Sequence, residues 1–407
     1  MIIIMSGKRV YLQTLPLLLG VLTGAVLGYI FGPAASIVKP IGEIFLNMMF
    51  ALVVPLVFFS ISSSVCRMTG EKKVWKVLGL SLAAFLVTSA VAGALTWALC
   101  EFWNPLGSFA TKIPPERSGI AGIALAGRPF LETVENMFTV SDFPKLLSRD
   151  NLLPMILFSA LLGAAVSLCG EKGAPIARFL ESGMSVVMRF MRLIMYAAPV
   201  CLGCYFADLI GGLGGSIIRS YINTVLIFLV VAAVLFFIVN SVYISASGGP
   251  SALKSYWTNI TPPSLIAVST CSSAATIPAG IEAAKAMGVN ESVAESVIPF
   301  GINIHKDGSV VSGVLKIIFA VAFYGLSGYG CFEIVGIAII TSLVVGAIPV
   351  GGLTGEILIC SILGVDPGFA ATLIVISTLV DIPATLLNTT DNIVCSALVD
   401  KLSGSSK

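Results

Sequence analysis

The sequence predicts an all-α polytopic membrane protein. Three observations carry that prediction: its composition, the length of its charge-free runs, and two apolar segments broken midway by small and polar residues. Of 407 residues, 57% are hydrophobic and 11% charged, against roughly 25% charged in an ordinary soluble domain. Mean hydropathy is +1.01, and a soluble fold of this size has too little polar surface here to cover itself. The formal net charge is +2, so no basic field exists to attract nucleic acid. The nine cysteines sit mostly in apolar runs and read as small packing residues, Cys201 and Cys204 of a CxxC included. No cleavable leader is expected, because Met1–Ser6 runs through Lys8 and Arg9 into a long span.

A helix needs about 20 apolar residues to cross a bilayer core of about 30 Å. Charge-free runs of that order extend from Val10 to Val38, Ile44 to Cys66, Val77 to Cys100 and Asn151 to Gly170. A fifth apolar segment, around Arg192 to Leu213, carries Asp208, and the longest runs from Ser220 to Leu253. These six read as ordinary spans filling residues 1–253. Lys8 and Arg9 precede the first; Arg67, Lys72, Lys73 and Lys76 crowd the loop after the second; Glu171, Lys172 and Arg178 follow the fourth. Basic residues stay on the cytoplasmic side, so the amino terminus is expected there. The segment from Phe102 to Asp150, with Pro105, Pro114 and Pro115, is then a long external excursion.

Residues 254–407 read differently. One apolar segment, about 258–291, rises through Pro262 to Val268, breaks at Ser269-Thr270-Cys271-Ser272-Ser273, and returns from Thr276-Ile277-Pro278. Another, about 334–366, rises from Ile334 to Val345, breaks between Pro349 and Gly355, and returns to Leu363. Each arm is about a dozen residues, too short to span. Non-helical backbone at membrane depth must line a cavity or be buried in protein, and paired interruptions point to a transporter's binding site. A single kinked span for each segment is the plainer alternative.

Between them, a span over about 293–328 carries Asn303-Ile304-His305-Lys306-Asp307-Gly308-Ser309 at its centre, with the chain's only histidine. Charges at the bilayer centre cost a few kcal/mol each and mark functional sites; the alternative is an extramembrane loop. The last span, about 370–402, carries Asp381, Thr385, Asn388 and Asn392 at offsets of 4, 7 and 11. At about 100° per residue the four share roughly 60° of arc. Such a stripe faces protein or water, either gluing helices or, through Asp381, holding a substrate ammonium.

These residues together resemble the dicarboxylate/amino acid:cation symporters. Thr270-Cys271-Ser272-Ser273-Ala274-Ala275-Thr276-Ile277-Pro278 is similar to the serine-rich tip of that family's first re-entrant hairpin, and Asp307-Gly308-Ser309 to the DGT of its unwound seventh span. Asp381, Thr385 and Asn388 fit its eighth-span spacing, as do Thr88-Ser89 and Asn104-Pro105 in and after the third. The resemblance covers nearly the whole chain. It implies eight transmembrane helices plus two re-entrant hairpins, an elevator-type transporter and a homotrimer in the cytoplasmic membrane. It also implies a scaffold of spans 1, 2, 4 and 5, with spans 3 and 6 joining the transport core of residues 254–407.

By the resemblance, Asn388 binds the substrate α-carboxylate. Ser272, Ser273 and the backbone N–H groups at the hairpin tips assist it, with Gly351 and Gly355 in the second tip. The arm starting near Thr276 points a helix N-terminus at that anion. Asp381 holds the α-ammonium, and Thr385 adds an acceptor.

Three departures shape the expectation. Acidic-substrate members carry an arginine where this chain has Ala384, and a side-chain carboxylate there would lie unpaired away from water. A small neutral amino acid such as alanine, serine or threonine is therefore expected. The family's Asn-Met-Asp-Gly reads His305-Lys306-Asp307-Gly308, and its eighth-span aspartate is Asn392, with Asp391 one position earlier. Hard cations want oxygen ligands. Thr88, Ser89 and Asp307 still offer one sodium site, whereas His305 and Lys306 offer no side-chain oxygen. Coupling by sodium, by a proton on His305 and Lys306, or by Lys306 as a tethered cation all stay open, with Asn303 and Glu356 as further candidates. No cofactor is expected beyond Na+ or H+. An acidic or dicarboxylic substrate is the runner-up. An intramembrane enzyme built on His305, Lys306, Asp307 and Ser309, or a channel, are readings of another class.

Overall fold

Inside a bilayer every backbone N–H and C=O must find its partner within the protein, so apolar runs become helices. The computed structural model describes residue 16 and residues 19–66, 72–105, 139–148, 151–213, 216–344 and 352–404. Among them the regular structure is helical throughout, with no strand. Among the described residues, five stretches are long and apolar enough to cross a membrane: Leu19–Phe45, Gly79–Phe102, Ile218–Asn259, Glu291–Tyr324 and Pro367–Ser403. The protein is an all-α, multi-pass membrane protein. The first residues of the first expected span, most of the 102–150 excursion, and the break from Pro349 to Gly351 lie outside the described residues.

Helix α1 (19–31) ends earlier than the apolar run predicts. Gly32 takes φ +54, and with Pro33 at its start the 3-10 segment Gly32–Val38 hands the chain to α2 (Lys39–Cys66). Helix α3 is Lys72–Phe102 and α4 is Leu152–Leu168. The expected fifth span also divides. Arg192 closes α5 (Ala174–Met195), and α6 (Ala198–Leu213) starts afresh with Pro199 in its first turn. Helix α5 is not a charge-free run, because Arg178, Glu181, Arg189 and Arg192 lie on it. It buries Leu180, Val187 and Ile194, seven residues apart, along one stripe.

Helix α2 packs on α4, α5 and α6, and α1 lies on α6. That last contact is backbone to backbone. Gly20, Gly24 and Gly28 recur every fourth residue, and a Cβ on Gly24 would sit 2.0 Å from the Gly203 carbonyl oxygen. Small residues at this spacing let membrane helices approach closely, where dispersion contacts replace the missing hydrophobic drive.

The rest gathers around the last helix. Helix α7 (Ser216–Ala233) passes through a π-turn (Val234–Val239) into α8 (Asn240–Asn259), which bends at Gly248 and Gly249 before Pro250. Then come α9 (Thr261–Thr270), α10 (Ile277–Ala286), α11 (Glu291–Ile304), α12 (Asp307–Tyr324), α13 (Cys331–Val344), α14 (Gly352–Leu363) and α15 (Ala370–Ser403). Helix α15 packs against α3 and against every helix from α7 to α14 except α13, which packs on α12 and α3. Most of its residues from Ala370 to Asp400 are buried, with Leu379 and Ile382 exposed, so its buried polar residues must be satisfied by protein or line a cavity.

Candidate functional site

Two helix interruptions and the first turn of α14 converge on the middle of α15. The first lies between α9 and α10, where Cys271 ends α9 in the left-handed conformation (φ 48, ψ 32), a region costly for a residue with a Cβ. The second is His305-Lys306, extended between α11 and α12 at φ −121 and −144. Helix α14 contributes Gly355 of its first turn. Gly308 lets α12 touch α15 directly: a Cβ there would lie 2.3 Å from the Ala384 carbonyl oxygen. A cavity of ≈ 120 Å³ opens where these elements meet. Ser272, Ser273, Gly355, Asp381, Ala384, Thr385 and Asn388 all line it, while Gly351 lies outside the described residues.

Polar groups of both charge signs line the cavity. Asn388 Oδ1 accepts the Ser309 N–H at 3.3 Å, which leaves its amide nitrogen as a donor. Asp381 and Lys306 both line the cavity, and they attract each other electrostatically. Neither makes a hydrogen bond or ion pair with another described residue.

Beside the cavity, the expected cation ligands close on one side chain. His305 Nε2 lies 2.8 Å from Thr88 Oγ1 and 3.0 Å from Asp307 Oδ1. Ser89 donates to the same Asp307 oxygen at 2.5 Å. On the other side of the ring, Nδ1 lies 3.1 Å from Asn392 Oδ1. The Asn392 amide nitrogen is committed to the carbonyls of Asn388 (2.6 Å) and His305 (3.2 Å), so its oxygen faces the ring. A ring with hydrogen on both nitrogens donates to Asp307 and Asn392 at once, while the Nδ1–H tautomer donates to Asn392 and accepts the Thr88 hydroxyl at Nε2. Phe85 stacks on it at 4.4 Å and 8°, a further favourable contact for a cationic ring.

The remaining candidates separate. Lys306 turns into the cavity rather than into the Thr88–Ser89–Asp307 cluster. Asp391 accepts from Asn240 at 2.7 Å and from Thr390 at 3.3 Å and does not line the cavity. Asn303 belongs to the last turn of α11, and its side chain lies outside the described residues. Glu356, fully buried, is not alone. Lys316 Nζ lies 2.5 Å from its Oε1, and Ser377 donates to the same oxygen. Lys316, Ser312 and Ser377 line the cavity, and none was singled out from sequence. The signal for Lys316 was present: a lone cation nine residues after Asp307 within an apolar run.

Helices broken around a buried polar cavity are the architecture of a secondary transporter. Residues 14–402 match the family model described as the sodium:dicarboxylate symporter family, so the chain belongs to that family: a cation-coupled membrane symporter, not an enzyme. A C4-dicarboxylate transport protein of Agrobacterium fabrum is 25% identical over 384 residues, 88% of this chain and 83% of its own length. A proton/sodium-glutamate symport protein of Bacillus subtilis is 25% identical over 398 residues, 95% and 91% of the two chains. A Haemophilus influenzae symporter of uncharacterized activity is 28% identical over 432 residues, 97% and 93% of the two.

Proposed function

We propose that this symporter carries a small neutral amino acid, of the alanine, serine or threonine kind, and that a proton on His305 takes the place of one co-transported sodium ion. One observation carries the substrate reading: Asp381 and Lys306 present opposite charges to one cavity, and neither makes a hydrogen bond or ion pair with another described residue. A zwitterion answers both. Its ammonium pairs with Asp381, and its carboxylate takes Lys306 and the free Asn388 amide, each a charge-assisted contact away from bulk water. A dicarboxylate would set one of its anions against Asp381. Ala384 supplies no cation for a second carboxylate.

The coupling reading rests on the His305 ring, which stands among the oxygens of Thr88, Ser89 and Asp307 as a bound cation would. Protonation and deprotonation of the ring change the charge of that cluster by one unit, the same change a sodium ion makes. In this account residues 254–407, with spans 3 and 6, form the moving core. The two helix breaks act as re-entrant hairpins, three copies assemble around the scaffold, and the amino terminus is cytoplasmic.

A second reading has its own support. Two lysines, Lys306 and Lys316, line the cavity, and the relatives from A. fabrum and B. subtilis are named for C4-dicarboxylates and glutamate. Competition for L-serine binding to the purified protein separates the two. Alanine and threonine are expected to displace serine, with L-aspartate and succinate at least about ten-fold weaker, a difference of about 1.4 kcal/mol. Displacement of serine by succinate or aspartate at lower concentration than by alanine would replace the first reading with the second.

A further inference from the structure

The transport reading leaves one charged cluster unused. Lys316 of α12 reaches Glu356 of α14 at 2.5 Å and Ser377 of α15 at 3.0 Å, so three helices meet at one buried ion pair. Glu356 is 0% exposed and Lys316 6%. Lys316 and Ser377 line the same cavity as Asp381, and Ser377 and Asp381 are four residues apart on α15, one turn or about 6 Å. Ser377 and Asn388 are eleven residues apart on α15, about 16 Å along its axis, so the pair stands away from Asn388, beyond Asp381. Two polar atoms there are buried without a partner among the described residues: Ser312 Oγ, on the cavity wall, and Glu356 Oε2 behind it.

We propose that Glu356 is a specificity-determining residue: its carboxylate occupies Lys316 and so closes that end of the cavity to a substrate bearing a second carboxylate. This rests on the neutral amino-acid reading above. An ammonium has three hydrogens, and Glu356 and Ser377 take two of those on Lys316. The third meets the cavity beside Ser312, and the pair's net charge is zero. A hydroxyl or amide on the substrate finds a donor in Lys316 and a partner in Ser312. A carboxylate finds a cation already neutralised and the Glu356 anion close behind it. The site thus reads neutral polar side chains by the same lysine that, unpaired, would read acidic ones.

The test is Glu356→Gln, with wild type and the Lys316→Gln/Glu356→Gln double variant as comparisons, each purified and titrated with L-serine and L-aspartate. Removing the carboxylate leaves Lys316 as an uncompensated buried cation, costly until an anion arrives. The aspartate-to-serine affinity ratio is expected to rise at least about ten-fold in Glu356→Gln. Aspartate should also raise the melting temperature of that variant more than serine does. The double variant, with no charge to satisfy, should keep the wild-type ratio. An unchanged ratio in Glu356→Gln, or an equal gain in the double variant, overturns the proposal. Should Glu356→Gln not fold, Glu356→Asp withdraws the carboxylate by one methylene and should move the ratio the same way; no movement there also overturns it. If wild type itself prefers aspartate, the neutral-substrate reading fails, which is a different result from a serine-preferring wild type whose Glu356 variants keep its ratio.

Discussion

His305 Nε2 lies 3.0 Å from Asp307 Oδ1, two residues along an extended turn between α11 and α12. The pair is sealed: the side chains are 0% and 4% exposed. An aspartate this deep needs a positive partner, and among the described residues the ring of His305, a cation when protonated, is the basic group within ion-pair distance of it.

Replacing His305 by leucine should therefore strand Asp307. Breaking a buried pair from one side costs about 3–5 kcal/mol, and the melting temperature of the variant is expected to fall accordingly. Sodium added to the variant should recover part of the loss, because the oxygens of Thr88, Ser89 and Asp307 then have room for a hard cation. A variant as stable as wild type would show that Asp307 is satisfied by something else.

Asp381→Asn tests the ammonium contact. Hydrogen bonds to charged groups contribute about 1.5–3 kcal/mol, so serine affinity should drop by about 10- to 100-fold. Calorimetric titration reads the loss directly, and an unchanged affinity would move the ammonium elsewhere.

Lys306→Met separates two roles for that residue. If its ammonium holds the substrate carboxylate, affinity falls by a similar factor while the dependence of uptake on the ion gradient keeps its shape. A change in ion dependence at constant affinity would return Lys306 to the part of a tethered cation.

Gly308→Ala probes the contact that shapes the cavity. The added Cβ meets the Ala384 carbonyl oxygen at 2.3 Å, so α12 must shift from α15, at a cost of about 1–3 kcal/mol. Serine binding should weaken with it. By contrast Gly24→Leu, at the α1–α6 crossing, should lower stability and leave the affinity for serine unchanged, as two calorimetric titrations would show.

Much of this arrangement was legible in the chain. The α15 stripe was readable because offsets of four, seven and eleven fall on one helix face, and Asp381, Thr385 and Asn388 do line one cavity. The unwound turn at His305-Lys306 was readable because charge has no place in the middle of an apolar helix. What escaped depended on distance in sequence. Lys316 and Glu356 are 40 residues apart, and nothing local tells which carboxylate a buried lysine will meet. The direction of Lys306 was likewise hidden, since adjacent residues on extended backbone point opposite ways: His305 turns to the cation ligands and Lys306 to the cavity. Helix α5 was missed because its charges break the run without breaking the helix. The spacing of Gly20, Gly24 and Gly28 carried a packing signal that a search for charge-free runs does not use.

The measurement that bears most directly on the account is uptake of radiolabelled L-serine by the purified protein in liposomes, driven in turn by a sodium gradient, a proton gradient without sodium, and neither. Saturable accumulation is expected under the proton gradient, with little added by sodium and loss of the proton response when His305 is replaced. Accumulation that requires sodium and ignores the proton gradient would contradict it, because the ring of His305 would then not be standing in for a transported cation.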